Sequence, residues 1–337
     1  MPDLIDASFL ALPSPSLWFA AMVDFEYLYR GICGLAHAHP AGTMAGHLGA
    51  AVAAGYFIGE VQSELPDEVY RGIEGELDRV MKGEEAIWFN AKKAGITPEE
   101  MFQPFPEQRA AAQQIPTIAA ALQKNIGQMR QSGHNVIFAS IAIRALHDHP
   151  DYATPQIVEG IDKLINGFNN ASPGRGYYGK EKGWLTGNQV ELKPDAAFPA
   201  YSGISQMVTV TIDEMIATSS IKKQGFGGLW HIINHAAAIT ELDRFGYQKL
   251  AAEALPAHHR HIQLWRSLPD MESELGAVEK SEHDPRQPEY WAGMLKRDEA
   301  RLTHRIKTLY GYYTLRRYLE NDAKRKQADE AFLYLMA

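Results

Sequence analysis

The sequence contains a single cysteine, Cys33, among its 337 residues. One thiol excludes an internal disulfide framework, zinc sites built from several thiolates, and iron–sulfur clusters. Basic residues are also few, since 33 Lys and Arg oppose 41 Asp and Glu, for a formal net charge of −8. An acidic chain repels phosphate, and the sequence has no long stripe of lysine and arginine that would reverse this locally. We therefore predict no nucleic-acid partner.

Long apolar runs and a basic leader are missing as well. The most apolar run, residues 48–58, is shorter than the roughly 20 residues that a membrane-spanning helix needs. No lysine or arginine precedes Arg30, so the N-terminal segment lacks the cationic head of a secretory signal. These absences predict a cytoplasmic protein without a membrane partner. The hydrophobic fraction of 45% is typical of a globular protein, and we interpret residues 1–337 as a single α-helical domain.

Apolar residues recur at spacings of three and four along most of the chain, and alternating strand patterns are scarce. The residues 208–212 are β-branched enough for a strand, but the wider spacing from Ile204 to Met215 favours a helix. Residues 169–199 differ, because glycines alternate there with aromatic residues, and they predict a long ordered loop that is a candidate lid. Helices are predicted over residues 17–35, 44–64, 66–81, 110–129, 136–146, 155–168, 204–215, 229–245, 248–267, 298–319 and 323–336.

These helices group into pairs that form a weak internal repeat. An apolar helix that carries a histidine is followed by a more amphipathic helix, and the histidines recur at intervals of roughly two ~40-residue helical pairs. The repeated dipeptides are Gly46-His47, Gly133-His134, Asn234-His235 and Thr303-His304. The layout resembles the α/α-toroid class, in which inner helices form a ring and outer helices wrap it. The resemblance is one of architecture, without the sequence motifs of lanthionine cyclases, zinc prenyltransferases or class II terpene cyclases, and an open α-solenoid is the alternative.

Thirteen histidines are the unusual part of the composition. In a ring, the N-termini of the inner helices would lie on one face and bring together His47 and His134, with His235 and His304 as further members. The helix dipole disfavours a charged imidazole there, and a neutral imidazole can bind a metal or act as a general base. His231 is four residues before His235 and can share an ion with it. The metal candidates are therefore His47, His134, His231 and His235, for iron, zinc or copper. Any one of them taken alone is better explained as a core histidine or one at a helix start.

Other side chains could complete such a site. As catalytic residues we predict His47, His134, His235, His304 and Tyr310. As substrate-binding residues we predict Asn135, Trp230, Asn234, Tyr177, Tyr178 and Arg305. Amides polarise carbonyl groups, aromatic rings stack, and a guanidinium binds an anion.

Three functions are compatible with these features. The first is an intracellular enzyme with a cavity lined by His, Tyr and Asn, in which a transition metal activates water or dioxygen for reaction with a small organic molecule. The second is a metal-free lyase or isomerase that uses a histidine base and Tyr310 as acid. The third is a non-catalytic helical scaffold that binds a protein or peptide. Neither the substrate nor the oligomeric state follows from the sequence.

Overall fold

The computed structural model describes residues 22–192, 197–292 and 302–337, and these form an all-α fold, as predicted. The only described strands are β1 (Arg175–Tyr177) and β2 (Trp184–Thr186), which pair antiparallel in a small hairpin. The described helices are α1 (Phe25–His37), α2 (Gly46–Val61), α3 (Asp67–Met81), α4 (Ala91–Ala94), α5 (Pro116–Gln123), α6 (His134–Asp148), α7 (Pro155–Asn166), α8 (Gly179–Lys182), α9 (Ile204–Thr218), α10 (Gly228–Arg244), α11 (Gln248–Ser267), α12 (Glu272–Leu275), α13 (Pro288–Trp291), α14 (Leu302–Arg316) and α15 (Asp322–Phe332).

Four helices, α2, α6, α10 and α14, form the centre of the structure. Residues 46–59 of α2, 134–146 of α6, 231–242 of α10 and 302–315 of α14 are buried without interruption. A helix that is buried all round must lie inside the fold. Contacts run from α2 to α6, from α6 to α10, from α10 to α14, and from α14 back to α2. We call these four helices the inner helices; whether the whole chain forms a toroid stays a prediction.

All four inner helices run in the same direction. Their first turns lie together at one end, where each contributes a histidine, as described below. At the other end, Arg144 of α6 binds Glu60 of α2 at 2.5 Å and Glu241 of α10 at 3.1 Å. The Tyr310 hydroxyl of α14 lies 3.0 Å from the same guanidinium. A helix running antiparallel to the others could not place its first-turn histidine at one end and its later residues in the Arg144 contacts at the other.

Outer helices cover the inner ones. Helices α1 and α3 pack on α2, α7 packs on α6, and α9 and α11 pack on α10. The closest approach is between α1 and α2, where a Cβ on Gly49 would lie 2.3 Å from the Leu35 amide nitrogen and one on Gly31 would lie 2.4 Å from that of Ala53. Two glycines therefore allow the backbones of these helices to touch.

The helix boundaries agree closely with the sequence pattern for most elements. Helix α11 has the predicted bounds, and the β-branched segment at residues 208–212 is helical, as expected. Residues 169–199 contain the hairpin and the short helix α8 in their described part, rather than loop alone. The predicted first helix begins within residues 1–21, which lie outside the described residues. Among the described helices, none combines the length and apolar character required to cross a bilayer.

We predict that Gly49→Ala destabilises the protein, by about 1–3 kcal/mol or more, because the new methyl group would overlap the α1 backbone. The matched control is Gly75→Ala in α3, where an added Cβ has open space around it. There we expect no loss, or a gain of about 0.5–1 kcal/mol, because alanine favours the helix. Urea unfolding of both variants measures the difference, and equal stabilities would contradict the close packing of α1 on α2.

Candidate metal centre

Four buried histidines lie side by side at the N-terminal end of the inner helices. His47, His134, His231 and His304 are all in the first turn of their helices, and none is more than 8% exposed. Adjacent ring centroids are 4.4 Å apart for His47 and His134, 4.6 Å for His134 and His231, 5.0 Å for His231 and His304, and 4.8 Å for His304 and His47. We call this group the histidine ring. Each of its members comes from a different inner helix.

The protonation of two members follows from their partners. His134 Nδ1 bonds the Gln131 carbonyl oxygen, and His231 Nδ1 lies 2.6 Å from the Gly227 carbonyl oxygen. A carbonyl oxygen only accepts, so both Nδ1 atoms carry hydrogen, and in a neutral imidazole each Nε2 then carries a lone pair. Burial lowers the pKa of both histidines well below the usual value, so they are neutral near pH 7.

The two Nε2 atoms lie 2.9 Å apart. Two lone pairs at hydrogen-bond distance repel each other unless a cation lies beside them. Imidazole nitrogens bind transition metals at about 2.0–2.1 Å, so a single ion could bind both atoms. Metal-binding histidines commonly donate their second N–H to a backbone carbonyl, which is the arrangement of His134 and His231.

His47 completes a triad with these two residues. One nitrogen from each of His47, His134 and His231 lies within 4.8 Å of the others, so the triad could hold a metal ion. Burial lowers the pKa of His47, and the nearby Lys307 lowers it further. The Lys307 amine lies 2.5 Å from His47 Nδ1, and His47 Nε2 has no hydrogen-bond partner among the described residues. This nitrogen is therefore available to an ion.

Lys307 and Glu85 are buried beside the ring. Burial lowers the pKa of Lys307 and raises that of Glu85, and the mutual attraction of the two groups opposes both shifts. Glu85 also accepts a bond from the Thr303 amide and lies 3.7 Å from His304 Nδ1. The distance of 3.7 Å is longer than a hydrogen bond, so Glu85 places an acidic group beside His304 without fixing the orientation of its ring.

Strained turns present the carbonyl groups that orient the triad. Only three non-glycine residues in the described part of the chain have positive φ: Gln131, Ser132 and Phe226. The first two lie three and two residues before His134, and Phe226 precedes Gly227, the partner of His231. Such backbone costs about 1–3 kcal/mol per residue and is concentrated at functional sites. The strained backbone therefore lies in the same two turns whose carbonyl groups orient His134 and His231.

Residues 173–176 of the glycine-rich loop form backbone contacts with both strained turns. The Pro173 carbonyl accepts from the Ser132 amide at 3.0 Å, and the Arg175 carbonyl accepts from the Phe226 amide at 2.7 Å. Gly176 also pairs with Gly225 in an antiparallel bridge. This part of the predicted lid therefore serves as a brace that links the turns before α6 and α10.

Two tryptophans border the ring. Trp88 stacks on His47 with a centroid distance of 4.5 Å, and Trp230 stacks on His304 at 5.4 Å. Both indoles are half-buried. They form an apolar wall between the imidazoles and the outside, which lowers the local dielectric and keeps the imidazoles uncharged.

His235 lies in a second histidine group, next to the ring, with His258 and His261. Its Nδ1 lies 3.4 Å from His261 Nδ1, while His261 Nε2 donates to the Phe226 carbonyl at 2.7 Å. A Cβ on Gly133 would lie 2.7 Å from the His235 ring. His235 thus fills the space between the turns before α6 and α10, and the structure places it beside the triad instead of within it.

The remaining predicted site residues are distributed through the fold. Asn234, Tyr310 and Lys307 line a cavity of about 10 Å³, with room for about one water molecule. Tyr310 is bound by Arg144 and Glu241, and burial raises its pKa. The other predicted residues have hydrogen-bond partners outside the ring: Asn135 bonds Asn125, Arg305 bonds Glu76, Tyr177 bonds Glu274 and Tyr178 bonds Ser267.

Sequence reasoning missed Glu85 and Trp88 as parts of this site, and it placed Lys307 on one helical face with His304 and Tyr310 as an anion-binding group without assigning it to the histidines. Lys307 follows His304 by three residues on the same helix, a spacing that signals a shared face. Glu85 and Trp88 belong to a turn between helices, and no periodicity marks them.

No protein family, curated protein or solved structure matches this chain. The fold and the site themselves define the class: an all-α protein whose buried histidine triad could hold a metal ion.

The second histidine group leads us to predict that the stability of the protein depends on pH. Burial lowers the pKa of His258 to about 3, and the neighbouring His261 adds to the shift. In the unfolded chain this side chain titrates near about 6.5. The unfolded state therefore binds the proton first, and stability that is fully present above pH 6.5 is lost as the pH falls, by about 2 kcal/mol at pH 5.

His258→Gln should reduce this loss, because glutamine keeps a donor for the Ile232 carbonyl, which His258 Nε2 contacts at 3.1 Å. Urea unfolding at pH 7 and pH 5 measures the change for each protein. The variant should lose about 2 kcal/mol less than the wild type between the two pH values. The exposed-loop variant His283→Gln serves as the control, and an identical pH dependence of wild type and His258→Gln would contradict the prediction.

Proposed function

We propose that this protein is a metalloenzyme that binds one transition-metal ion through Nε2 of His47, His134 and His231. The observation that carries the proposal is the pair of lone-pair nitrogens of His134 and His231, 2.9 Å apart and oriented by backbone carbonyls. Iron, zinc and copper all bind imidazole nitrogen. Burial of the triad favours neutral imidazoles, which are the form that binds a cation.

A bound metal would supply activation of water or dioxygen toward a small organic substrate. The residues around it have separate roles in this proposal. Trp88 and Trp230 exclude bulk water, Glu85 places an acidic group beside His304, and the Lys307 amine is a proton donor or acceptor next to His47. Three protein ligands leave a position for substrate or water, which is typical of catalytic sites.

Metal analysis of purified protein tests the ligand set. The wild type, stripped with chelator and reconstituted with Co(II), Zn(II), Fe(II) or Cu(II), should retain about one ion per chain after dialysis. His134→Ala and His231→Ala should each weaken retention at least about 100-fold, because each removes a ligand. The matched control is His258→Ala, which removes a buried histidine outside the triad. Circular dichroism must show that each variant keeps its helical content.

Two outcomes would overturn the metal proposal. The first is a folded wild-type protein that retains none of these ions at micromolar concentration. The second is equal retention by His134→Ala, His231→Ala and the His258→Ala control.

Azide binding distinguishes a catalytic centre from a structural one. In Co(II)-loaded protein, we expect azide to change the visible absorption spectrum, because a catalytic site keeps an open coordination position. If His304 closes the site as a fourth ligand, azide will change the spectrum of His304→Ala and leave that of the wild type unchanged. That result would support a structural metal and contradict the enzyme proposal.

The metal-free enzyme and the binding scaffold remain the alternatives. A metal-free lyase or isomerase would need Tyr310 as its acid, and the Tyr310 hydroxyl is held by Arg144 and Glu241 at the opposite end of the inner helices. A scaffold would not need neutral histidines turned toward one another. Failure of metal binding in the experiment above favours one of these alternatives.

A further inference from the structure

An open groove of about 540 Å³ lies next to the histidine ring, on the far side of Trp230. Its volume is in the range of small-molecule sites. Helices α10 and α11, the turn before α10 and the C-terminal residues form its walls. None of the site residues predicted from sequence, other than Trp230, belongs to it.

The groove is basic although the chain is acidic. Lys222 and Lys223 line it, and no Asp or Glu is among the described residues of its wall. Lys223 donates to the Trp265 carbonyl at 3.2 Å and the Arg266 carbonyl at 3.4 Å, so its charge is fixed at the wall. The first turn of α10 also borders the groove, and its N–H groups add positive potential. These features favour an anionic ligand.

The groove is also aromatic. Trp230, Trp265 and Tyr334 line it. The indole N–H groups of both tryptophans are already used, by the Leu335 carbonyl at 2.9 Å and the Thr218 hydroxyl at 3.0 Å. Trp265 is only 4% exposed, and the Lys223 ammonium lies 5.3 Å from the centroid of its ring. The ring surface open to a ligand is therefore that of the half-buried Trp230 and Tyr334, which suits a flat ring.

We propose that this groove binds a small aromatic carboxylate, with the ring against Trp230 and Tyr334 and the carboxylate toward Lys222 and the start of α10. Gly227 and Gly228 line the groove, and the Gly227 carbonyl is the one that orients His231. A ligand here contacts the turn that positions a proposed metal ligand. Its role as substrate rests on the proposed function, whereas its binding does not require a metal.

Calorimetry on metal-free, full-length protein tests the binding with three probes. 1-Naphthoate carries both the ring and the charge, 1-naphthamide carries only the ring, and cyclohexanecarboxylate carries only the charge. We expect 1-naphthoate to bind one per chain and about tenfold more tightly than either of the others, with an affinity that falls as salt is added.

Two variants separate the contributions of charge and ring. Lys222→Gln should weaken 1-naphthoate about fivefold and leave 1-naphthamide unchanged, because only the charge is removed. Tyr334→Leu should weaken both by a similar factor, because part of the aromatic wall is lost. Lys249→Gln is the matched control, since Lys249 is an exposed lysine at the opposite end of α11 from Trp265.

The results distinguish failure of this inference from failure of the metal proposal. No binding of 1-naphthoate at about 1 mM, or equal affinities for 1-naphthoate and 1-naphthamide, would overturn the inference. An unchanged affinity of Lys222→Gln for 1-naphthoate would overturn it as well. Selective 1-naphthoate binding by a protein that retains no metal would support the groove and reject only the metalloenzyme.

Discussion

Two imidazole nitrogens with lone pairs lie 2.9 Å apart in the interior of this protein, and much of the surrounding structure maintains that arrangement. Burial keeps His134 and His231 neutral, and a carbonyl behind each fixes its tautomer. Without a cation, the pair is a local electrostatic cost. A cation bound between the two nitrogens would remove this repulsion, which links the energetics of the site to its proposed role.

The fold maintains this geometry through backbone, and not through side chains alone. The turns before α6 and α10 contain the described non-glycine residues with positive φ, and residues 173–176 bond both turns. His235 fills the space between them. Parallel inner helices place their positive N-terminal ends together, which further disfavours charged imidazoles. Helix direction and burial therefore keep the histidines neutral. The braced turns keep them in fixed positions.

Much of the fold was predictable, because it depends on local patterns. Apolar spacing indicated the helices, and for α11 it indicated both ends. The pairing of histidine-bearing apolar helices with amphipathic ones indicated which would be inner, and His47 and His134 were grouped on that basis. The pattern ranked His235 with them, yet His231, one turn earlier in α10, is the member of the triad. Spacing of four residues places both on one face, and periodicity cannot say which turn lies level with the other helix ends.

The sequence by itself determined an acidic all-α chain with a single cysteine and a set of histidines at the starts of apolar helices. These properties depend on composition and on periods of three to four residues, which are readable without contacts. Tertiary structure alone decided which nitrogens lie together, which carbonyls orient them, and that Lys307 and Glu85 are buried beside them. Those facts depend on packing between segments far apart in the chain, where displacement by one helical turn, about 5.4 Å, moves a ligand out of reach.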